Sequence, residues 1–130
     1  MHSDYYSELV GDKFVHHLQV DFINRQTILI LGGHPQDEMT GRYTLTFNEV
    51  VLQDLHGMQP HNLLWGIAMS DEYSFFHEQE KDYLEKMKNY FVPGFLEQIQ
   101  LDISLRYYFI SSTTGLSGFI ICRHATLVKE

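Results

Sequence analysis

Eight histidines are the first side chains of this sequence to weigh for chemistry, because neutral imidazole is a preferred ligand for zinc, copper and iron. Their spacing does not assemble a metal centre. His16 and His17 are adjacent on an expected strand, where successive side chains face opposite sides, so one ion would rarely take both. His56 and His61 flank Gly57-Met58-Gln59-Pro60 and could converge with Asp54, but two surface histidines beside a turn explain them more simply. His77-Glu78 begins like a helical zinc-protease motif, yet Lys81 stands where the second histidine is required. His124 shares a parity with Cys122 near the end of the chain, an arrangement that suits a packed or edge pair better than a reactive one. No metal and no cofactor are expected.

Other reactive groups are equally unassembled. Ser111, Ser112 and Ser117 surround a turn without a Gly-x-Ser-x-Gly elbow. Gly32-Gly33 and Gly115-Leu116-Ser117-Gly118 lack the spacing of a phosphate cradle. Asp37-Glu38 and Asp71-Glu72 are carboxylates adjacent in sequence, which suits loop solubility and helix capping more than paired acid and base work. An enzyme is therefore not the expected reading.

The elements that position these groups follow from periodicity. From Lys13 to Ile23, Phe14, Leu18, Val20 and Phe22 share one parity while His17, Gln19 and Asp21 take the other, which predicts a half-buried strand. After the polar break Asn24-Arg25-Gln26, the β-branched run Thr27 to Leu31 returns as its hairpin partner. Gly32 to Glu38 reads as a loop, and Arg42 to Phe47 alternates as a third strand. Residues 48–57 fit either a short helix capped by Asn48 and ended by Gly57 or an irregular strand. Asn62 to Met69 predicts a buried strand through Leu63, Leu64, Trp65, Ile67 and Ala68, with Gly66 marking a bulge or a close approach.

Asp71 to Phe91 reads as one long amphipathic helix, because Tyr73, Phe76, Tyr83, Met87 and Tyr90 or Phe91 recur at helical steps. Ser70 or Asp71 is available as its cap and Pro93-Gly94 as its stop. Acids crowd its first half and Lys86 and Lys88 its end, as the helix dipole favours, with Asp82 and Lys86 at a four-residue step. A further helical turn fits Phe95 to Gln100, and the parity of Leu101, Ile103, Leu105, Tyr107 and Phe109 predicts a strand. Thr113-Thr114-Gly115 turns the chain into a last strand that runs to Val128. The fold class is α+β: a mainly antiparallel curved sheet or sandwich with one long helix, in a single domain spanning residues 1–130.

Composition bounds the function. Seventeen acids against nine lysines and arginines give a formal charge of −8, which repels nucleic acid and anionic lipid and makes a basic partner easier to accommodate. One cysteine cannot form an internal disulfide, the first residues lack the pattern of a signal peptide, and no apolar run approaches the roughly 20 residues of a membrane span. A reducing cytoplasm is the expected compartment. Tyr5, Tyr6, Phe75, Tyr90, Phe91, Tyr107 and Tyr108 are too many rings for one small core, so some must cover a second layer or form a contact surface.

Thr44-Leu45-Thr46-Phe47 followed by Leu55-His56-Gly57, and then Ile110-Ser111-Ser112 through Gly115-Leu116-Ser117-Gly118-Phe119-Ile120, resemble the strand frame of small acidic bacterial α+β proteins of immunity type. The resemblance implies a single domain that binds and blocks a toxin, and it carries no functional residue across.

The leading expectation is thus a non-enzymatic protein-binding domain, an immunity protein for a basic toxin. Its expected contacts are Asp37, Glu38, Asp71, Glu72, Glu78, Asp82 and Glu85. The rival is a small-ligand-binding protein or enzyme with a pocket inside the sheet that uses His56, His61 or His124. A third reading is a structural homodimer held by exposed aromatic side chains.

Overall fold

A computed structural model describes residues 2–3, 11–33 and 42–130. Asp37, Glu38, Tyr5 and Tyr6, named above, lie outside the described residues. In chain order the elements are β1 (His2–Ser3), β2 (Phe14–Asp21), β3 (Gln26–Gly32), β4 (Tyr43–Asn48), β5 (Leu52–His56), β6 (Asn62–Ser70), α1 (Tyr73–Gln79), α2 (Lys81–Met87), α3 (Phe95–Leu101), β7 (Arg106–Thr114), β8 (Ser117–Cys122) and β9 (His124–Lys129). The fold is α+β, with every strand pairing antiparallel. The segment 48–57 resolves as β5, with Gly57 turning the chain at φ +75°.

The strand order is β5-β8-β7-β6-β2-β3-β4-β9, with β1 added to β6. Laid flat, β8 and β9 would stand six strand spacings apart, roughly 29 Å, whereas a single residue, Arg123, joins them. The sheet therefore curls round. Its closure rests on two bent strands, because β4 pairs with β9 and β5 with β8. Between Asn48↔His124 and Leu52↔Ile121 the first strand carries one extra residue, and Glu49 takes φ +55° there.

Two apolar clusters explain the strand patterns. Inside the curl lie Val15, Leu29, Leu31, Leu45, Phe47, Leu64, Ile67, Tyr108, Ile110, Leu116, Ile120 and Cys122. The alternate residues of β7 and β8, Tyr107, Phe119 and Ile121, face outward and are covered by Phe76, Leu84 and Ile99 of the helices. The continuous apolar run Phe119 to Cys122 follows from burial on both faces. Phe76 anchors the helical layer, with ring centroids 5.0 Å from Phe119 and 5.3 Å from Tyr107.

Several sequence expectations are corrected. The long helix is two seven-residue helices, α1 and α2, broken at Glu80 (φ −114°, ψ 31°). The apolar stripe 73, 76, 83, 87 has a core-facing step at position 80, and the residue there is glutamate. A continuous helix would press that carboxylate further into the apolar seam, where burying a charge is costly. In β2 the register shifts between Val15 and His17, so Val15 points inward before the bulge and Leu18 after it. Phe14 leaves the core and packs against His61, while Phe22 sits in the β2–β3 turn at 86% exposure. Trp65 points outward beside the register shifts of β6. Leu101 ends α3 and Ile103 lies in a turn, because Asp102 Oδ1 accepts from the Ser104 amide (3.0 Å) and hydroxyl and delays β7 until Arg106.

Candidate functional site

The acidic helical face is built by packing beneath it. Phe76 and Leu84 point into the second core, and Glu72, Glu78, Asp82 and Glu85 are exposed, as is Asp71 before α1. Ser70 Oγ accepts from the Glu72 amide at 3.1 Å, so Ser70 fixes the approach to the helix while Glu72 takes the N-cap position. Glu78 pairs with Lys81 at 3.2 Å and Glu85 with Lys88 at 2.7 Å. Among the described residues the step from Asp82 to Lys86 closes no ion pair, and the three-residue steps take its place. Exposed pairs of this kind contribute about 0–1 kcal/mol each.

His56, His61 and His124 do not gather into one pocket. His56 stands at the end of β5 opposite Ser117, whereas His124 starts β9 opposite Asn48, roughly 20 Å further along the strand. The His61 ring meets Phe14, and its backbone carbonyl accepts from Thr114 Oγ1 at 3.4 Å. His124 Nδ1 is 3.8 Å from Glu49. The bulge in β2 has an outcome that strict alternation does not predict: His16, His17 and His61 line one small polar hollow, in which His16 Nε2 donates to the Gly33 carbonyl at 2.8 Å. Among the described residues no group of three or more histidine, cysteine or acidic side chains is arranged to hold a metal ion. The inside of the curl, where the rival reading places its ligand, is filled by Leu29, Leu31, Leu45, Phe47, Leu64 and Ile67, all without exposure.

Ser112 and Ser117 serve the β7–β8 turn, and Ser111 pairs with Gly66 in the β6–β7 ladder. Ser112 Oγ donates to the Leu116 carbonyl, and Asn62 Oδ1 accepts from the amides of Leu116 (3.0 Å) and Gln59 (2.9 Å), tying that turn to the loop after β5. Gly115 and Gly57 meet here closely enough that a Cβ on Gly57 would strike the Gly115 carbonyl.

Two features went unseen in the sequence. At the helix break, burial and the neighbouring Asp54 carboxylate push the Glu80 carboxyl above the ordinary glutamate range, while His56 acts in the other direction. Burial, Asp54 and Glu80 likewise raise the Tyr83 hydroxyl. The second feature is a cleft of about 230 Å³ at the mouth of the curl, between the β2–β3 turn and the β4–β5 bend, lined by Val20, Arg25, Val50, Val51, Leu52 and Gln53 among others. Thr27 Oγ1 donates to Gln53 Oε1 at 2.6 Å, and Gln26 Nε2 to Asn48 Oδ1 at 2.9 Å, across the same mouth.

No protein-family description, curated protein or solved structure matches this chain. No helix among the described residues is long and apolar enough to cross a membrane.

Proposed function

We propose that this protein is a non-enzymatic domain that binds another protein through the acidic face of its helical layer. The supporting observation is that Glu78, Asp82 and Glu85 on the helices and Glu72 at the N-cap of α1 are exposed, while Phe76 and Leu84 hold the helices on the second core. Leaving out the half-buried Glu80, residues 71–88 carry five carboxylates against three lysines, so the face keeps a negative field after its ion pairs form. A basic protein is the matching partner, and the resemblance to immunity-type proteins makes a basic toxin the specific candidate, captured fast through electrostatic steering.

The test is an association-rate measurement against the basic protein that the immobilised domain retains from its host. The variant carries Asp71→Asn, Glu72→Gln, Glu78→Gln, Asp82→Asn and Glu85→Gln. About tenfold slower association at low salt, with a flatter salt dependence, supports the reading. An unchanged rate rejects this face as the contact.

One observation favours a homodimer, through a sheet face rather than through exposed aromatic side chains. Among the described residues no helix covers the outside of β2, β3, β4 and β9. The register there aligns His17, Ile30, Thr44 and Val128 in one row and Gln19, Ile28, Thr46 and Thr126 in the next. These rows contain no acid, lysine or arginine, so two copies of a chain of charge −8 meet there without like-charge contact. Light scattering over a concentration series, with Ile30→Lys as the disrupting variant, decides it.

A further inference from the structure

We propose that the cleft at the mouth of the curl is a binding site for a small monocarboxylate with a compact apolar body. It stands independently of the acidic helical face and of the histidines.

The chain contains four arginines, and three have engaged guanidinium groups. Arg42 lies 3.3 Å from Glu130, Arg123 binds Asp102 at 2.8 Å and lies 3.6 Å from Glu49, and Arg106 donates to the carbonyls of Ile103 and Leu105. Arg25 is the fourth. Among the described residues its guanidinium makes no hydrogen bond or ion pair, and it is the arginine that lines the cleft. Asp21, on the same rim, makes no ion pair with it, and its oxygens are turned to the loop: Oδ1 accepts from the amides of Ile23 and Asn24 at 3.0 Å, and Oδ2 from Asn24 Nδ2 at 2.8 Å.

A second donor shares the cleft. Gln53 spends its Oε1 on Thr27, which leaves its Nε2 without an acceptor among the described residues. The remaining wall is apolar, from Val20, Phe22, Val50, Val51 and Leu52. Two unpaired donors against an aliphatic wall suit an acid head with a hydrocarbon body. A basic ligand would meet Arg25, and a multiply charged anion would meet Asp21 and the field of an acidic chain, so a single negative charge fits best. At about 230 Å³ the cleft is smaller than most drug-sized sites and takes a molecule on the scale of benzoate or hexanoate.

The backbone around the cleft is held in shape. Arg25 and Glu49 both adopt positive φ, at 53° and 55°, without being glycine. The Val50 amide donates to the Arg25 carbonyl at 2.8 Å and links the two turns. Such conformations cost free energy and persist where surrounding structure over-determines them, often at ligand sites.

The experiment is a titration of the full chain with benzoate, followed by backbone amide NMR, beside benzamide as the neutral isostere. Saturable shifts confined to residues 20–27 and 50–53, with benzamide at least tenfold weaker, are expected. Arg25→Gln should weaken benzoate at least tenfold with the rest of the spectrum unchanged, and Arg25→Lys should retain binding within a few-fold. Absence of saturable shifts, shifts centred elsewhere, equal affinity for benzamide, or undiminished binding by Arg25→Gln each overturns the proposal. If Arg25→Gln unfolds, the Arg25→Lys chain and the benzoate-to-benzamide ratio on the original chain still decide.

Discussion

The hydroxyl of Thr27 donates to Oε1 of Gln53 at 2.6 Å and so joins β3 to β5 at the mouth of the curl. Thr27 has no exposure and shares its inward row with Leu29 and Leu31. A hydroxyl in that row needs a partner, and Gln53 is the one it has. Thr27→Val keeps the shape and deletes the donor, so stability should fall by about 1 kcal/mol. Thr27→Ala also removes packing and should cost more. Urea midpoints read both effects, and a Thr27→Val chain as stable as the original shows that the bond contributes nothing net.

Glu80 makes stability depend on pH in the unusual direction for a carboxylate. Burial first, and Asp54 second, raise its folded pKa above the ordinary 4.5. Between those two values the folded chain holds more protons than the unfolded one, so this group's contribution falls as pH rises through the window. Glu80→Gln should therefore stabilise the protein at pH 7 and bring no gain at pH 4. Asp21 and Asp102, whose carboxyls are lowered chiefly by hydrogen bonds from Asn24 and Ser104, act oppositely below the ordinary 3.8 but are common to both chains. Urea unfolding of both chains from pH 4 to 7 checks the sign, and an equal difference at both ends removes Glu80 as the cause.

Much of the frame is legible from parity. Leu29 and Leu31, then Leu45 and Phe47, announce two half-buried strands, and the Phe119 to Cys122 run carries the mark of a strand buried on both sides. The bulge at His16 leaves no such mark, so the parity of β2 misplaces Phe14. The break in the helix did have a sign, the glutamate at the core-facing step of the stripe. The strand expected from Leu101 failed because the Asp102–Ser104 turn competes locally with an alternation that continues through it. The acids of the helical face are placed by the same stripe that buries Phe76 and Leu84. The cleft was hidden, since it joins residues 20–27 to residues 50–53 through left-handed backbone at Arg25 and Glu49, which residue type does not signal.

Gly118 sits in β8 opposite Leu55 of β5 and Ile110 of β7, with φ +140°. A Cβ there would collide with the backbone carbonyl of Asp54, which belongs to the paired strand and cannot swing aside as a side chain does. Gly118→Ala should cost on the order of 3 kcal/mol from combined overpacking and backbone strain. Gly94, equally left-handed but with open space around its Cβ position, is the control. Gly94→Ala should cost only about 1 kcal/mol. Thermal unfolding of the two variants ranks them, and equal losses remove the close approach as the distinguishing cause.

Cys122 reports on the opening of the curled sheet. Its thiol has no exposure, packs with Phe47's cluster inside the curl, and is pushed by burial up to about 12. Thiolate is the reacting species, and a site that suppresses both ionisation and access leaves the folded chain inert toward a disulfide reagent at pH 8. Modification should then proceed only through unfolded or opened molecules, where the thiol regains its ordinary value near 9. The labelling rate at pH 8 should track the unfolded fraction as urea is added. The destabilised Gly118→Ala chain should label faster at every concentration below its midpoint. Rapid labelling in the absence of denaturant, at a rate indifferent to that substitution, would place the sulfur on an accessible surface and contradict the packing of β8 against both clusters.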